Sequence, residues 1–375
     1  MKVSVSQQQL AHGLGVVSRA VNPRSTLPVL GNILIATDEG RLRLSATNLE
    51  LGITCWIPAQ ITEEGSVTMP ARTFTDLIST FPNDTVVMNL DARTQTMTVR
   101  CGFNSTDIKG IDAQEFPPIP VPDLSAGVTL NMADFREMIQ QVVFAASTDE
   151  TRPVLQGVMT TIANNEVALA ATDGFRISIR KLPLAAPFEK TYNLIIPARA
   201  LSELARIAVD GDQTLTMNVP PGRGQVIFHL KNTEVVSQLI DGNFPDYRAI
   251  IPRSFKTHTV LSRGEFLNAC KQAEIIARET NNVIRMEIKT NPDRPGEIKI
   301  SAQAEQTGSS DVNLDANVDG EGITIAFNVR FLREVLDVVK TPSVVLETNA
   351  HNTPAILKPV GDDTFTHVIM PMHLG

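Results

Sequence analysis

Three families of segments recur along the chain in the same order, and this repeat constrains the fold more than any other feature. An amphipathic helix comes first: SQQQLAHGLGVVSRAV from Ser6, MADFREMIQQVVFAAS from Met132 and SRGEFLNACKQAEIIARE from Ser262. In the middle copy Phe135, Met138, Ile139, Val142, Val143 and Ala146 fall on one helical face. A strand pair follows: LPVLGNILIATDEGRLRLSATNLE, RPVLQGVMTTIANNEVALAATDGFR and the weaker NNVIRMEIKTNPDRPGEIKISAQAE. The turns DEG and ANNE separate the strands. Val167, Leu169 and Ala171 alternate with smaller or polar residues, and Ile177 and Ile179 carry the same phase onward. That period of two predicts strands with one buried face.

The third family is strand, short helix, strand. VTMPARTFTDLISTFPNDTVVMNL matches LIIPARALSELARIAVDGDQTLTMNV and IAFNVRFLREVLDVVKTPSVVLET, with PAR intact at Pro70 and Pro197. Each unit closes on a strand and a proline exit: EFPPIP, NFPDYRAIIP and VIMPMHL. Pro28 and Pro153 lie 125 residues apart, Pro70 and Pro197 lie 127 apart, and Leu10, Phe135 and Phe266 are spaced by 125 and 131. The chain therefore reads as three copies of one domain, at 1–123, 124–253 and 254–375, each long enough for its own core. The apolar ending THVIMPMHLG is then a third domain-closing strand, either plain core or a surface gripped by another protein.

The chemistry that is missing narrows the function. There is no Walker loop, GxSxG, HExxH or GxGxxG. PPGRGQ lacks the lysine of a phosphate loop. The six histidines show no ligand spacing, and Cys55, Cys101 and Cys270 form no CxxC pair, so no metal and no cofactor are expected. Three scattered cysteines fit a reducing cytoplasm. MKVSVSQQQL lacks a signal-peptide core, and no apolar run approaches the roughly 20 residues of a membrane span. TDETR and ATDGFR place Asp beside Arg; turn capping or a partner site is the first reading and hydrolysis by these acids the rival. A repeat scaffold with no catalytic chemistry is a further rival.

Charge is unevenly placed although the net value is −8. Of 33 basic and 41 acidic residues, the segments 6–24, 71–81, 132–147, 198–210, 262–279 and 328–340 hold 12 and 10, leaving 21 and 31 elsewhere. Near-neutral to basic helices inside an acidic shell suit a protein whose helices face a polyanion.

RSTLPVLGNILI, ATDGFR, LIDGNFPDYRAIIP and VIMPMHL, in that order within a triplicated chain, resemble the hallmark segments of the bacterial DNA sliding clamp, the beta subunit of DNA polymerase III. The resemblance covers essentially the whole chain. It implies an α+β fold of three DNA-clamp domains, each with two helices packed on antiparallel sheets. Two chains would join head to tail in a homodimeric ring around duplex DNA, held without sequence readout. Such a ring tethers the polymerase and confers processivity, with no catalysis of its own, exonuclease activity included. The implied partners are DNA polymerase III alpha subunit, the clamp loader, other DNA polymerases, and mismatch-repair and ligase proteins, engaged through a short peptide with a glutamine and large apolar residues. A clamp paralogue with a resistance or repair role is the alternative.

Carried over residue by residue, the implied peptide groove comprises Leu155, Thr172, Gly174, Phe175, Arg176, Ile177, Pro245, Ile250, Asn328, Phe331, Val368, Met370, Pro371, Met372 and His373. Methionines suit a surface that adapts to several ligands. Phe175 replaces a frequent histidine, His373 replaces a frequent arginine, and Gly375 extends the usual end by one residue. Arg24 and Arg152 match DNA-contacting positions, and Arg72 and Arg199 on the helical segments join them as DNA-binding candidates. Asp149 and Pro153 stand where some members carry an amide and an aromatic. Thr106 and Ile108 match one side of the dimer interface, and Ile275 and Ile276 the other, where an exposed isoleucine pair would need a cover.

Overall fold

The computed structural model describes residues 1–120, 123, 127–208, 214–291 and 295–373. The expected boundary at 123/124, the end of the 198–210 helical segment, and Leu374 and Gly375 lie at or beyond the edges of the described residues. By spatial contact the chain divides into two compact units. Unit 1 is Met1–Asp134 with Glu203–Leu239, and unit 2 is Phe135–Ser202 with Ile240–Gly375. The second repeat is thus shared between the two.

Each repeat supplies two α-helices: α1 (Gln7–Val17) and α2 (Ala71–Thr80), α3 (Met132–Val142) and α4 (Ala198–Ile207), α5 (Arg263–Ala277) and α6 (Val329–Val338). None is long and apolar enough to cross a membrane. Leu10, Leu14 and Val17 give α1 a fully buried stripe. Gly13 lets that helix lie close on the sheet, since a Cβ there would stand 2.7 Å from Leu44 Cδ1. On α6 the buried residues Val329, Leu332, Val335 and Leu336 repeat at helical spacing. The Asn328 side chain caps its first turn, accepting from Arg330 N at 3.0 Å. Pro342 lies shortly beyond its end, and the residue before a proline avoids helical geometry.

Among the described residues the strands form antiparallel sheets of five, eight and twelve. In unit 1 the eight-stranded sheet joins Thr233–Gln238, which closes the second repeat, to Leu51–Pro58 of the first. In unit 2 the twelve-stranded sheet makes the same junction one repeat later: Phe365–Ile369 pairs with Arg176–Pro183. Phe266, Phe327 and Phe365 are fully buried in the core of unit 2, worth about 1.5–3 kcal/mol each relative to exposure.

Two sequence expectations need correction here. Strand Glu166–Thr172 is buried on both faces over most of its length, and Arg176–Pro183 over its first half. Ile177 and Ile179 also do not continue the phase of Val167, Leu169 and Ala171. Thr172 pairs with Ile177 and Ala170 with Ile179, and directly opposed residues share a face. Paired positions therefore have opposite parity, so two odd-numbered sets on the two strands face opposite ways. Ala170, Ile177 and Ile179 meet Tyr247, Ile356 and Val368 in a second cluster, which covers the other face.

All three cysteines are free and buried, and desolvation pushes each thiol above its ordinary range.

Candidate partner-binding groove

The groove begins at the turn between the strands Glu166–Thr172 and Arg176–Pro183. Thr172 Oγ1 donates to Arg176 O at 2.7 Å and accepts from Gly174 N at 3.0 Å. Asp173 Oδ1 accepts from the backbone N–H groups of Phe175 (2.9 Å) and Arg176 (3.1 Å). Gly174 takes φ +94°, a left-handed conformation that glycine adopts without strain. The chain thereby turns Phe175 outward, 56% exposed, and Arg176 inward, 7% exposed.

The closing strand then forms a wall. Val368 pairs with Ile177, Met370 N donates to Phe175 O at 2.8 Å, and Met372 N donates to Ala326 O at 2.8 Å. A short turn at Tyr247–Ala249 supplies the opposite wall, capped by Asp246, whose carboxylate accepts from Arg248 N. Together these elements enclose a cavity of about 90 Å³. Ten of the expected groove residues line it: Leu155, Thr172, Gly174, Phe175, Arg176, Ile177, Pro245, Ile250, Val368 and Met370. Tyr247 lines it as well and was not foreseen. Burial raises its phenol pKa, so near neutrality it keeps its proton and can act as a donor. The signal available in the sequence was the aromatic inside PDYRAIIP, at the proline exit that closes the repeat.

Asn328, Phe331, Pro371, Met372 and His373 do not line this cavity. Asn328 spends its side-chain carbonyl on the α6 cap. Phe331 lies under the Arg176 guanidinium, 4.4 Å from ring centroid to Cζ. Pro371 and Met372 are half-buried beyond the cavity, and His373 is exposed.

Behind the groove, the other face of the same strands is charged yet closed. Arg176 Nε donates to Asp173 Oδ2 at 3.1 Å, Nη1 to Glu334 Oε2, and Nη2 to the Phe144 carbonyl at 2.8 Å. His367 is fully buried and shares a 2.6 Å hydrogen bond with Ser178 Oγ through Nδ1. Burial first, then the Arg176 charge, hold its pKa well below the ordinary value, so the ring is neutral.

The acids considered for hydrolysis are turn caps. Asp173 has both carboxylate oxygens engaged within its own turn. Asp149 accepts from Thr151 N and Oγ1 and from Arg152 Nε, and these bonds lower its pKa, the wrong direction for a general acid near neutrality. Among the described residues no group of three His, Cys, Asp or Glu side chains is placed to hold a metal ion.

The basic candidates are differently disposed. Arg24 and Arg199 are exposed. Arg72 is 94% exposed and lies 3.8 Å from Asp76. Arg152 commits Nε to Asp149 at 3.0 Å, so part of its fork is already used. Eight of the twelve basic side chains counted on the helical segments pair with helical carboxylates. The helical excess of positive charge is therefore largely compensated locally.

At the expected dimer positions, Thr106 and Ile108 lie on Asn104–Lys109, an edge strand of the five-stranded sheet. Ile108 is buried opposite Met97. Ile275 is 62% exposed, whereas Ile276 packs on the unit 2 core. Consecutive helical residues point about 100° apart, so the expected exposed pair is one exposed residue and one half-buried against the core. The hairpin preceding Asn104 presents Phe103 wholly to solvent, which nothing in the sequence marked.

Comparison with known proteins agrees with this architecture. The N-terminal, central and C-terminal domains of the DNA polymerase III beta subunit match residues 1–120, 129–246 and 248–373. A DNA polymerase sliding clamp from Bacillus subtilis superimposes with a TM-score of 0.94 at 28% identity, covering 100% of both chains. The DNA polymerase III subunit beta from Pseudomonas aeruginosa gives 0.91 at 26%, again over 100% of both. The fold is that of a three-domain DNA clamp. The beta sliding clamp of Synechococcus elongatus is 33% identical over 379 residues, 100% of each chain. That of Staphylococcus aureus strain N315 is 32% identical over 99% of each. The chain belongs to the DNA polymerase III beta subunit family. These names support the clamp reading and lend nothing to a specialised paralogue.

Proposed function

We propose that the chain is a DNA sliding clamp, a non-catalytic processivity factor that pairs with a second copy in a closed head-to-tail ring around duplex DNA. DNA polymerase III docks on the ring and stays near its template because rebinding is intramolecular. In this reading the cavity beside Met370 takes a short extended peptide with a glutamine and large apolar side chains. The clamp loader, other DNA polymerases, and mismatch-repair and ligase proteins would use the same groove, in the cytoplasm. Arg24, Arg72, Arg152 and Arg199 are proposed phosphate contacts, which set position without reading sequence. The Asn104–Lys109 edge strand, with Thr106 and Ile108, is proposed to meet the α5 end that carries Ile275 and Ile276.

The observation that carries this reading is the groove: an apolar trough held by backbone bonds from Met370 to Phe175 and from Met372 to Ala326. The test is fluorescence polarisation with a labelled hexapeptide containing one glutamine and two leucines. Micromolar binding that is lost when residues 370–375 are removed supports the reading. A folded full-length protein that does not bind it overturns the peptide groove.

A further inference from the structure

The repeat places a second groove in unit 1, on the same backbone frame but with opposite lining chemistry. Thr47 Oγ1 donates to Leu51 O at 3.0 Å and accepts from Leu49 N at 3.0 Å. Asn48 Oδ1 accepts from Glu50 N (3.1 Å) and Leu51 N (2.7 Å). These are the bonds of Thr172, Gly174 and Asp173, one repeat earlier. Gln238 N donates to Glu50 O at 2.8 Å, as Met370 N does to Phe175 O. Val236 pairs with Gly52 as Val368 pairs with Ile177. Leu49 even keeps the left-handed conformation of Gly174, at φ +77°, which a side chain rarely adopts. The turn geometry has persisted although the residue no longer favours it.

The frame encloses a cavity of about 160 Å³ beside the segment Pro117–Pro120. Thr47 and Val236 keep the residue types of Thr172 and Val368, while Glu50 stands for Phe175, Gly52 for Ile177 and Gln238 for Met370. Gln225, paired with Gln238 on the neighbouring strand, lines it too. Its Oε1 is buried and has no hydrogen-bond partner, an acceptor that is costly to leave unmet. No cationic side chain lines the cavity, and Glu50 stands exposed among its lining residues.

We propose that this cavity is a second peptide-docking site, selective for an extended partner segment that presents an arginine. A guanidinium carries five N–H donors on a planar fork. Once the Gln225 side chain turns its oxygen into the cavity, the guanidinium can satisfy it while its charge faces Glu50. An apolar anchor would leave that oxygen unmet and lacks the wall that Ile177 and Met370 provide in unit 2. The peptide class of the ligand rests on the groove reading above. The selectivity rests on Gln225, Glu50 and Gln238 alone.

The test is methyl NMR on the full-length protein with labelled isoleucine δ1 groups. Ile119 lines the unit 1 cavity, and Ile177 and Ile250 line that of unit 2. Acetyl-Ala-Arg-Ala-amide should shift the Ile119 signal with saturation in about the millimolar range, leaving Ile177 unmoved. Glu50→Gln, an exposed change that leaves the turn's backbone bonds in place, should weaken that response about fivefold or more. Gln225→Leu should do the same. Acetyl-Ala-Leu-Ala-amide should not move Ile119. The proposal fails if Ile119 is unmoved by the arginine peptide, if the leucine peptide moves it equally, or if Glu50→Gln changes nothing. A glutamine- and leucine-bearing hexapeptide in a parallel sample reports on the unit 2 groove through Ile177, so failure there is read separately.

Discussion

The strand Arg176–Pro183 has two faces of unlike character. One carries Ile177 and Ile179 toward an apolar cavity. The other buries Arg176 among two carboxylates, a carbonyl and two aromatic rings, with neutral His367 nearby. The first face leaves apolar surface open, and beyond the backbone bonds of its strands it is held by packing. The second is fully committed and fixes the backbone that the first displays. An open apolar cavity is here mounted on a layer that cannot easily adapt.

If this division of labour is right, the largest effect belongs to the closed face. Arg176→Met should cost about 3–5 kcal/mol, because it strips a buried charge from Asp173 and Glu334. Urea unfolding followed by a unit 2 probe measures it. A loss no larger than that of Met370→Ala would erase the contrast between the faces.

The next effect is proton-linked. The folded pKa of His367 lies below its unfolded value of about 6.5, so the unfolded chain binds the proton first. Its contribution to stability is complete above pH 6.5 and declines as pH falls below it, by at most about 1.4 kcal/mol per pH unit. Denaturation midpoints between pH 7.5 and 5 should show this fall, and His367→Leu should flatten it. An unchanged slope in that variant would mean the ring is not the group responsible.

On the open face the consequences shift from stability to binding. Met370→Ala should weaken the hexapeptide about tenfold, or about 1.4 kcal/mol, with a much smaller change in the unfolding midpoint. The smallest expected effect is that of Gly174→Ala, about 1 kcal/mol, because a Cβ must enter a left-handed conformation. Thermal melts check this. A neutral result would show that the turn's side-chain bonds, which already hold Leu49 in that conformation in unit 1, absorb the strain.

Much of the fold was legible because it was written three times. The helical stripes of α1, α3 and α5 and the repeated PAR segments located the elements without any need for exact boundaries. Ten residues that the family resemblance implies for the groove line the cavity, most of them in or next to ATDGFR, the proline exit and the closing strand, with Leu155 apart in RPVLQG. The differences have two sources. Periodicity reports alternation within a strand but not which face a partner strand joins, so the phase of Ile177 and Ile179 was assigned to the wrong side. Likeness to a family carries positions across but not their surroundings: Phe331, expected in the groove, lies under Arg176. Nor could it resolve Ile275 from Ile276, adjacent residues on one helix with different neighbours. Tyr247 was missed because a short turn has no period to read.

The three buried thiols have a practical consequence for labelling chemistry. Maleimides and alkylating reagents attack thiolates that they can reach, and Cys55, Cys101 and Cys270 offer neither access nor a low pKa. A cysteine introduced at an exposed position such as Phe103 would therefore be the reactive nucleophile in an otherwise unaltered chain. A dye could be placed on either unit without first removing the native sulfurs.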